Sequence, residues 1–187
     1  MVRTQQGVLF VLTLLLSWLL MQIVHELGHM TAAWVTGGRV VHVVLRPLAI
    51  SRTDMNPNPR PLAVAWGGPV IGSALPLAIW LLTKISRRKV PFLQFFAGFC
   101  LVANGAYIGI GPFQRIGDCN DLLRYGSPIW LLWLFGVLAT ALGLWLWKGA
   151  PSYFDSEQAG SEVLRSAMVT TVVLVVVALL EIVLSPR

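Results

Sequence analysis

Five apolar runs, separated by short polar stretches, dominate the chain: Gly7–Val35, Leu62–Thr83, Val90–Gly111, Pro128–Trp147 and Ser166–Leu184. An α-helix needs about 20 residues to cross a hydrocarbon core, so the pattern predicts an all-α polytopic membrane protein with about five transmembrane helices. The first gap has a different character. Gly37-Gly38 ends the first helix, Arg39-Val40-Val41-His42-Val43-Val44-Leu45 is rich in β-branched residues, and Pro47 with the Asn56-Pro57-Asn58-Pro59-Arg60-Pro61 run favours turns. A short β-hairpin-like segment at the membrane surface is expected there, held near headgroups by Arg39, Arg46, Arg52 and Arg60. The second run contains Gly67-Gly68-Pro69 and Gly72, which predict a helix interrupted at depth. Backbone groups freed there need protein or a wet cavity as partners, so the break marks close packing or a substrate path, or else a simple kink in a packed helix.

Composition agrees with this outline. Of 187 residues 56% are hydrophobic and 12% charged, and the mean hydropathy is +0.73, far too apolar for a soluble domain of this size. The chain reads as one integral, multi-pass membrane domain over residues 1–187, with no polar stretch long enough to fold alone. The net charge of +6 comes from short loops beside apolar spans, which suits a lipid bilayer, and no basic stripe with interleaved aromatics argues for nucleic acid. Lysines and arginines divide evenly between the two faces, so charge leaves the absolute orientation open, although the Lys84 to Lys89 cluster alone favours a cytoplasmic second loop. In either orientation the first and third loops share a face. Cys100 and Cys119 form no CxxC pair. The first run is too long for a signal-peptide core and is expected to stay as an anchor. Several of the eight tryptophans, among them Trp130, Trp133, Trp145 and Trp147, sit near span ends as an interfacial belt would. Nothing in the pattern speaks to oligomeric state.

The first run carries His25-Glu26-Leu27-Gly28-His29, an HExxH motif. Residues four apart share a helix face, so both imidazoles point one way with Glu26 beside them, as a zinc site with its own general base requires. A charged residue at mid-depth costs roughly 2.5–3.5 kcal/mol on insertion scales, so such a cluster in a span points to function rather than packing. Two histidines do not complete a hydrolytic zinc site, which takes three protein ligands and leaves a fourth position for water. A third histidine six residues beyond His29 is missing because Val35 stands there, and no glutamate occurs between Glu26 and Glu157. The candidates that remain are Asp118 and Asp121 after the third span, Asp54 in the proline-rich loop and His42 in the expected strand; Cys119 is a soft-ligand candidate or a small packed residue. Asn104, a primary amide within the third span, needs partners wherever it lies and is read as holding substrate, orienting the site or joining helices. Glu181, near the end of the last span, is read as structural.

In these motifs the chain resembles the site-2 protease family of intramembrane zinc metalloproteases. HExxH matches the first core helix of that family, Gly67-Gly68-Pro69 its second-helix element, and Gly117-Asp118-Cys119-Asn120-Asp121-Leu122-Leu123 its Leu-Asp-Gly-Gly-Arg segment followed by a hydrophobic pair. The resemblance covers about the first 125 residues, making these a three-helix catalytic core and residues 126–187 two accessory helices. It implies one Zn2+ per chain held by His25, His29 and Asp118, with Asp121 as the substitute ligand, Glu26 as catalytic base, and Asn104, Gly67, Gly68 and Pro69 binding substrate or supporting the site. It also implies that the basic β-rich segment holds substrate extended, and that the N-terminus lies outside, against the Lys84 to Lys89 cluster. The chain departs from the family at Gly117, where the family has Leu, at Cys119, where it has Gly, and in a looser lead-in of Asn104 and Pro112.

The implied reaction is peptide-bond hydrolysis in or near transmembrane segments, with Glu26 taking a proton from zinc-activated water and returning it to the leaving amine. The expected partner is a membrane protein with a helical span that unwinds before cleavage. Two rivals stand beside this reading: a catalytically inactive metal-binding scaffold, and a metal transporter. No inverted repeat or second metal cluster in the sequence supports transport.

Overall fold

The structure is a computed structural model that describes residues 2–47, 51–88, 90–148 and 160–185. Among the described residues six helices and one small sheet follow in the order α1 (Val2–Val35), β1 (Val40–Val44), β2 (Arg52–Met55), α2 (Pro61–Ile85), α3 (Pro91–Gln114), α4 (Gly117–Arg124), α5 (Ile129–Lys148) and α6 (Gly160–Leu184). All but α4 are long and apolar enough to cross a bilayer, as the hydrophobic pattern predicts. The chain is a multi-pass integral membrane protein.

Local chemistry sets the boundaries. α1 ends where Gly37 turns to φ +80°, and the Gly38 N–H donates to the Ala33 C=O at 2.7 Å, a glycine-closed helix end. Pro61 and Pro91 open α2 and α3, at positions where a missing N–H costs nothing. Arg115 closes α3 in the left-handed conformation, its N–H donating to the Gly111 C=O, so the chain turns at once into α4.

The expected break in α2 is not there. Pro61–Ile85 is one continuous helix with Pro69 and Pro76 inside it and Pro69 fully buried. Of the roles expected for this element, close packing is the one the glycines serve. A side chain at Gly67 would meet the Gly28 C=O at 2.7 Å, so α1 and α2 cross backbone against backbone. A lone sequence cannot separate a glycine that ends a helix from one that admits a neighbour.

α1, α2 and α3 pack on one another, α5 lies along α3 and α6 along α1. In α3 against α5, glycines again let backbones meet: a Cβ on Gly136 would stand 2.6 Å from the Gly109 Cα, and one on Gly143 would stand 2.7 Å from the Gly98 C=O. Ala97, Leu101, Ala139 and Leu146 fill that seam, and Leu9 with Val163 and Ala167 the seam between α1 and α6. Outward-facing valines and leucines, such as Val137, Val172 and Val183, are left for lipid. Trp130, Trp133 and Trp145 are exposed near span ends, whereas the Trp147 ring stacks on Phe95.

The hairpin forms as predicted. β1 and β2 pair antiparallel, with Val43 opposite Thr53 and Val44 opposite Arg52. It is tied down at three places. Trp18 Nε1–H donates to the Pro47 C=O at 3.2 Å, Thr53 Oγ1–H to Glu26 Oε2 at 2.6 Å, and the Leu45 N–H to Ser185 Oγ at 2.7 Å; the Ser185 hydroxyl in turn donates to the Leu45 C=O.

Candidate metal centre

His25 and His29 lie one turn apart on α1, and their Nε2 atoms stand 3.1 Å from each other. Asp118, in the first turn of α4, brings Oδ2 to 2.9 Å from His25 Nε2 and Oδ1 to 3.3 Å from His29 Nε2. These three are the group among the described residues able to hold a metal ion. Ligand bonds of about 2.0–2.2 Å in a tetrahedron separate donor atoms by roughly 3.3–3.6 Å, close to the edges found here.

The outer partners of the imidazoles settle which nitrogens face inward. His29 Nδ1 lies 2.7 Å from the Val64 C=O, which can only accept, so Nδ1 carries the proton. Asn104 donates from Nδ2 to the Cys100 C=O at 2.9 Å, which turns its Oδ1 towards His25 Nδ1 at 2.7 Å and fixes the same tautomer there. Both rings therefore turn Nε2 towards the Asp118 carboxylate. Two ring nitrogens and a carboxylate within such distances need a cation between them, a proton or a metal, and the donor set fits zinc.

Electrostatics separate the two aspartates. Burial works against a charge on Asp118, but the His25 and His29 imidazoles beside it outweigh that and hold the carboxyl well below the usual range. Asp121 moves the opposite way, raised by burial and by the Asp118 charge, and lies outside the ligand group although it lines the same cavity. Of the other ligand candidates, Asp54 pairs with Arg52 at 3.4 Å, and His42 is exposed opposite Asp54 in the hairpin. The Cys119 thiol, fully buried, points at the Tyr107 and Ile108 C=O groups and is pushed up to about 12 by burial and Asp118, so it packs as a neutral group.

The glycines of α2 make room for this cluster. A Cβ on Gly68 would stand 2.7 Å from His25 Nε2 and collide with the His29 ring, and one on Gly72 would press on the Asn104 amide at 3.1 Å. Gly117 has a related role on the other side. It sits at φ +50°, and a side chain there would strike the Tyr107 hydroxyl, which accepts the Asp118 N–H at 2.9 Å. The small residue at this point of the motif is thus matched to a tyrosine on α3.

Glu26 is 2% exposed and is held by Thr53 from the hairpin. Ligands, base and hairpin line one cavity of about 980 Å3 that also receives Trp18, Gln22, Asn104 and Tyr107. Thr53, Tyr107 and Val64 were not singled out from sequence; each acts through a contact 11 or more residues away.

A model of the Peptidase M50B-like family matches residues 6–108, more than half of the 187-residue chain. The chain belongs to the Peptidase M50B-like family. The peptidase match agrees with the site-2 protease resemblance in the motifs, and takes in HExxH, the hairpin, the Gly67-Gly68-Pro69 element and Asn104. It ends at Ile108, before Asp118, so the place of Asp118 in this Peptidase M50B-like chain rests on the geometry above. No curated protein and no solved structure matches the chain.

Asn104 offers a direct check on the outer partners. Asn104→Ala removes the acceptor that fixes His25, and zinc affinity measured by competition with a chromophoric chelator is expected to fall about 10–100-fold, the usual cost of losing such a partner. Unchanged affinity would mean that the bond does not orient the ligand.

Proposed function

We propose that the chain is a zinc-dependent intramembrane endopeptidase that hydrolyses peptide bonds in or near the spans of other membrane proteins. The observation that carries this reading is the placement of Glu26 beside the His25, His29 and Asp118 group in a single cavity among membrane helices. Residues 1–125 supply the whole constellation, and α5 and α6 support it from outside.

Zinc, when bound, would supply Lewis acidity that acidifies water and polarises the scissile carbonyl. The chain's own residues do the rest. Glu26 takes the proton from water and delivers it to the leaving amine, a transfer that needs a carboxylate held still; Thr53 holds its Oε2. Asn104 and the Val64 C=O keep the two imidazoles turned inward, so the ligands need no rearrangement during turnover. Helical substrate hides its peptide bonds in its own hydrogen bonds, so it must unwind first. The hairpin beside the cavity suits an extended segment, to which a strand edge can add backbone hydrogen bonds.

The test uses purified full-length protein. It is expected to carry one zinc per chain and to cleave a single-span substrate, to lose cleavage with the metal on chelation, and to regain it on adding zinc. Stoichiometric zinc without cleavage of any single-span substrate would favour the inactive scaffold, and zinc flux into sealed vesicles would favour transport.

A further inference from the structure

One polar side chain in the cavity has no role in the mechanism above. Gln22 is 3% exposed, lines the cavity, and finds no hydrogen-bond partner among the described residues for either its Nε2 or its Oε1. A buried primary amide with donor and acceptor both unmet is uncommon, because both lose water without replacement. The Asn104 amide, by contrast, is fully engaged with His25 and Cys100.

The position of Gln22 gives its amide a target. Trp18, Gln22 and Glu26 stand at successive four-residue steps on α1 and form one stripe along the cavity. One step is a rise of about 6 Å, and two residues of an extended chain cover about 6.7 Å. A peptide lying along the stripe with its scissile bond at Glu26 therefore brings a second peptide unit, about two residues away, to Gln22. The hairpin is tied to the same stripe on either side of that point, through Pro47 to Trp18 and through Thr53 to Glu26, and neither tie uses the amide.

We infer that Gln22 is a substrate-binding residue, its carboxamide accepting the N–H and donating to the C=O of one residue of an unwound, extended substrate about two residues from the cleaved bond. The inference rests on the protease reading and extends it to recognition of the substrate backbone. The amide atoms are covered in the structure, so binding includes a turn of the amide towards the peptide.

Binding can be measured without hydrolysis. The probe is a synthetic single-span peptide with an Asn-Pro pair at mid-span, bound in detergent to zinc-loaded Glu26→Gln protein and to the same protein with Gln22→Leu or Gln22→Met added. The added substitution is expected to weaken binding about tenfold, the worth of two neutral hydrogen bonds, with zinc content unchanged. N-methylation of successive backbone amides of the probe should find one position that weakens binding to Glu26→Gln but costs nothing further once Gln22 is replaced. Equal affinity with and without the Gln22 amide, or N-methyl losses that persist at every position in its absence, would overturn the inference. Zinc loss in both Gln22 variants would also overturn it, since the amide would then support the metal site. Should wild-type protein bind the probe through Gln22 without cleaving it or any other single-span peptide, the protease reading fails and the binding role of Gln22 stands.

Discussion

Glu26→Gln is expected to keep the fold and the zinc of the wild-type protein and to lose hydrolysis, by on the order of 10²–10⁴-fold or more. The substitution is nearly isosteric, and the Thr53 hydroxyl can still donate to the remaining carbonyl oxygen, so the hairpin stays in place. His25, His29 and Asp118 are untouched, which separates proton transfer from metal binding. Metal analysis alongside the initial rate on a single-span substrate reads both quantities. Cleavage at the wild-type rate would place the base elsewhere and remove the mechanism proposed above.

The second large effect distinguishes two carboxylates about one helical turn apart. Asp118→Asn is expected to lose zinc by more than the roughly 10–100-fold that an outer partner costs, because it removes the anionic member of the donor group. Its backbone N–H can still reach the Tyr107 hydroxyl, so α4 should keep its place. Asp121→Asn is expected to retain zinc, since Asp121 lines the cavity without joining the ligands. Competition with a chelator of known affinity gives both values. Zinc loss in the Asp121 variant with full retention in the Asp118 variant would reverse the assignment.

What could be read from sequence was what is local. The five spans follow from runs of apolar residues, the hairpin from β-branched residues between glycine and proline signals, and His25, Glu26 and His29 from a five-residue motif on one helix. Contacts between distant segments were beyond reach. Thr53 meets Glu26 only because β1 and β2 pair in one register, and Tyr107 meets the Asp118 N–H only because Arg115 turns the chain back. The Gly67-Gly68-Pro69 element marks close packing as expected, but reads wrongly as a helix break for a related reason. Its glycines are defined by what presses on them, namely Gly28 and the two histidines, and that partner surface is invisible in the local pattern. Gly117 and Cys119 look like damage to a motif, yet the first admits a tyrosine hydroxyl and the second fills a gap against α3.

Ser185, at the end of α6, holds both backbone groups of Leu45, where β1 leaves off. From Leu45 the sheet passes to β2, and from Thr53 to the carboxylate of Glu26. A helix that, among the described residues, contributes nothing to the lining of the cavity is thus in series with the base, as a guy-rope is with a mast. If the proposed protease turns over in a bilayer, strain along α6 from membrane thickness is expected to change its turnover number at constant zinc occupancy, which rates in vesicles of different acyl-chain length would read.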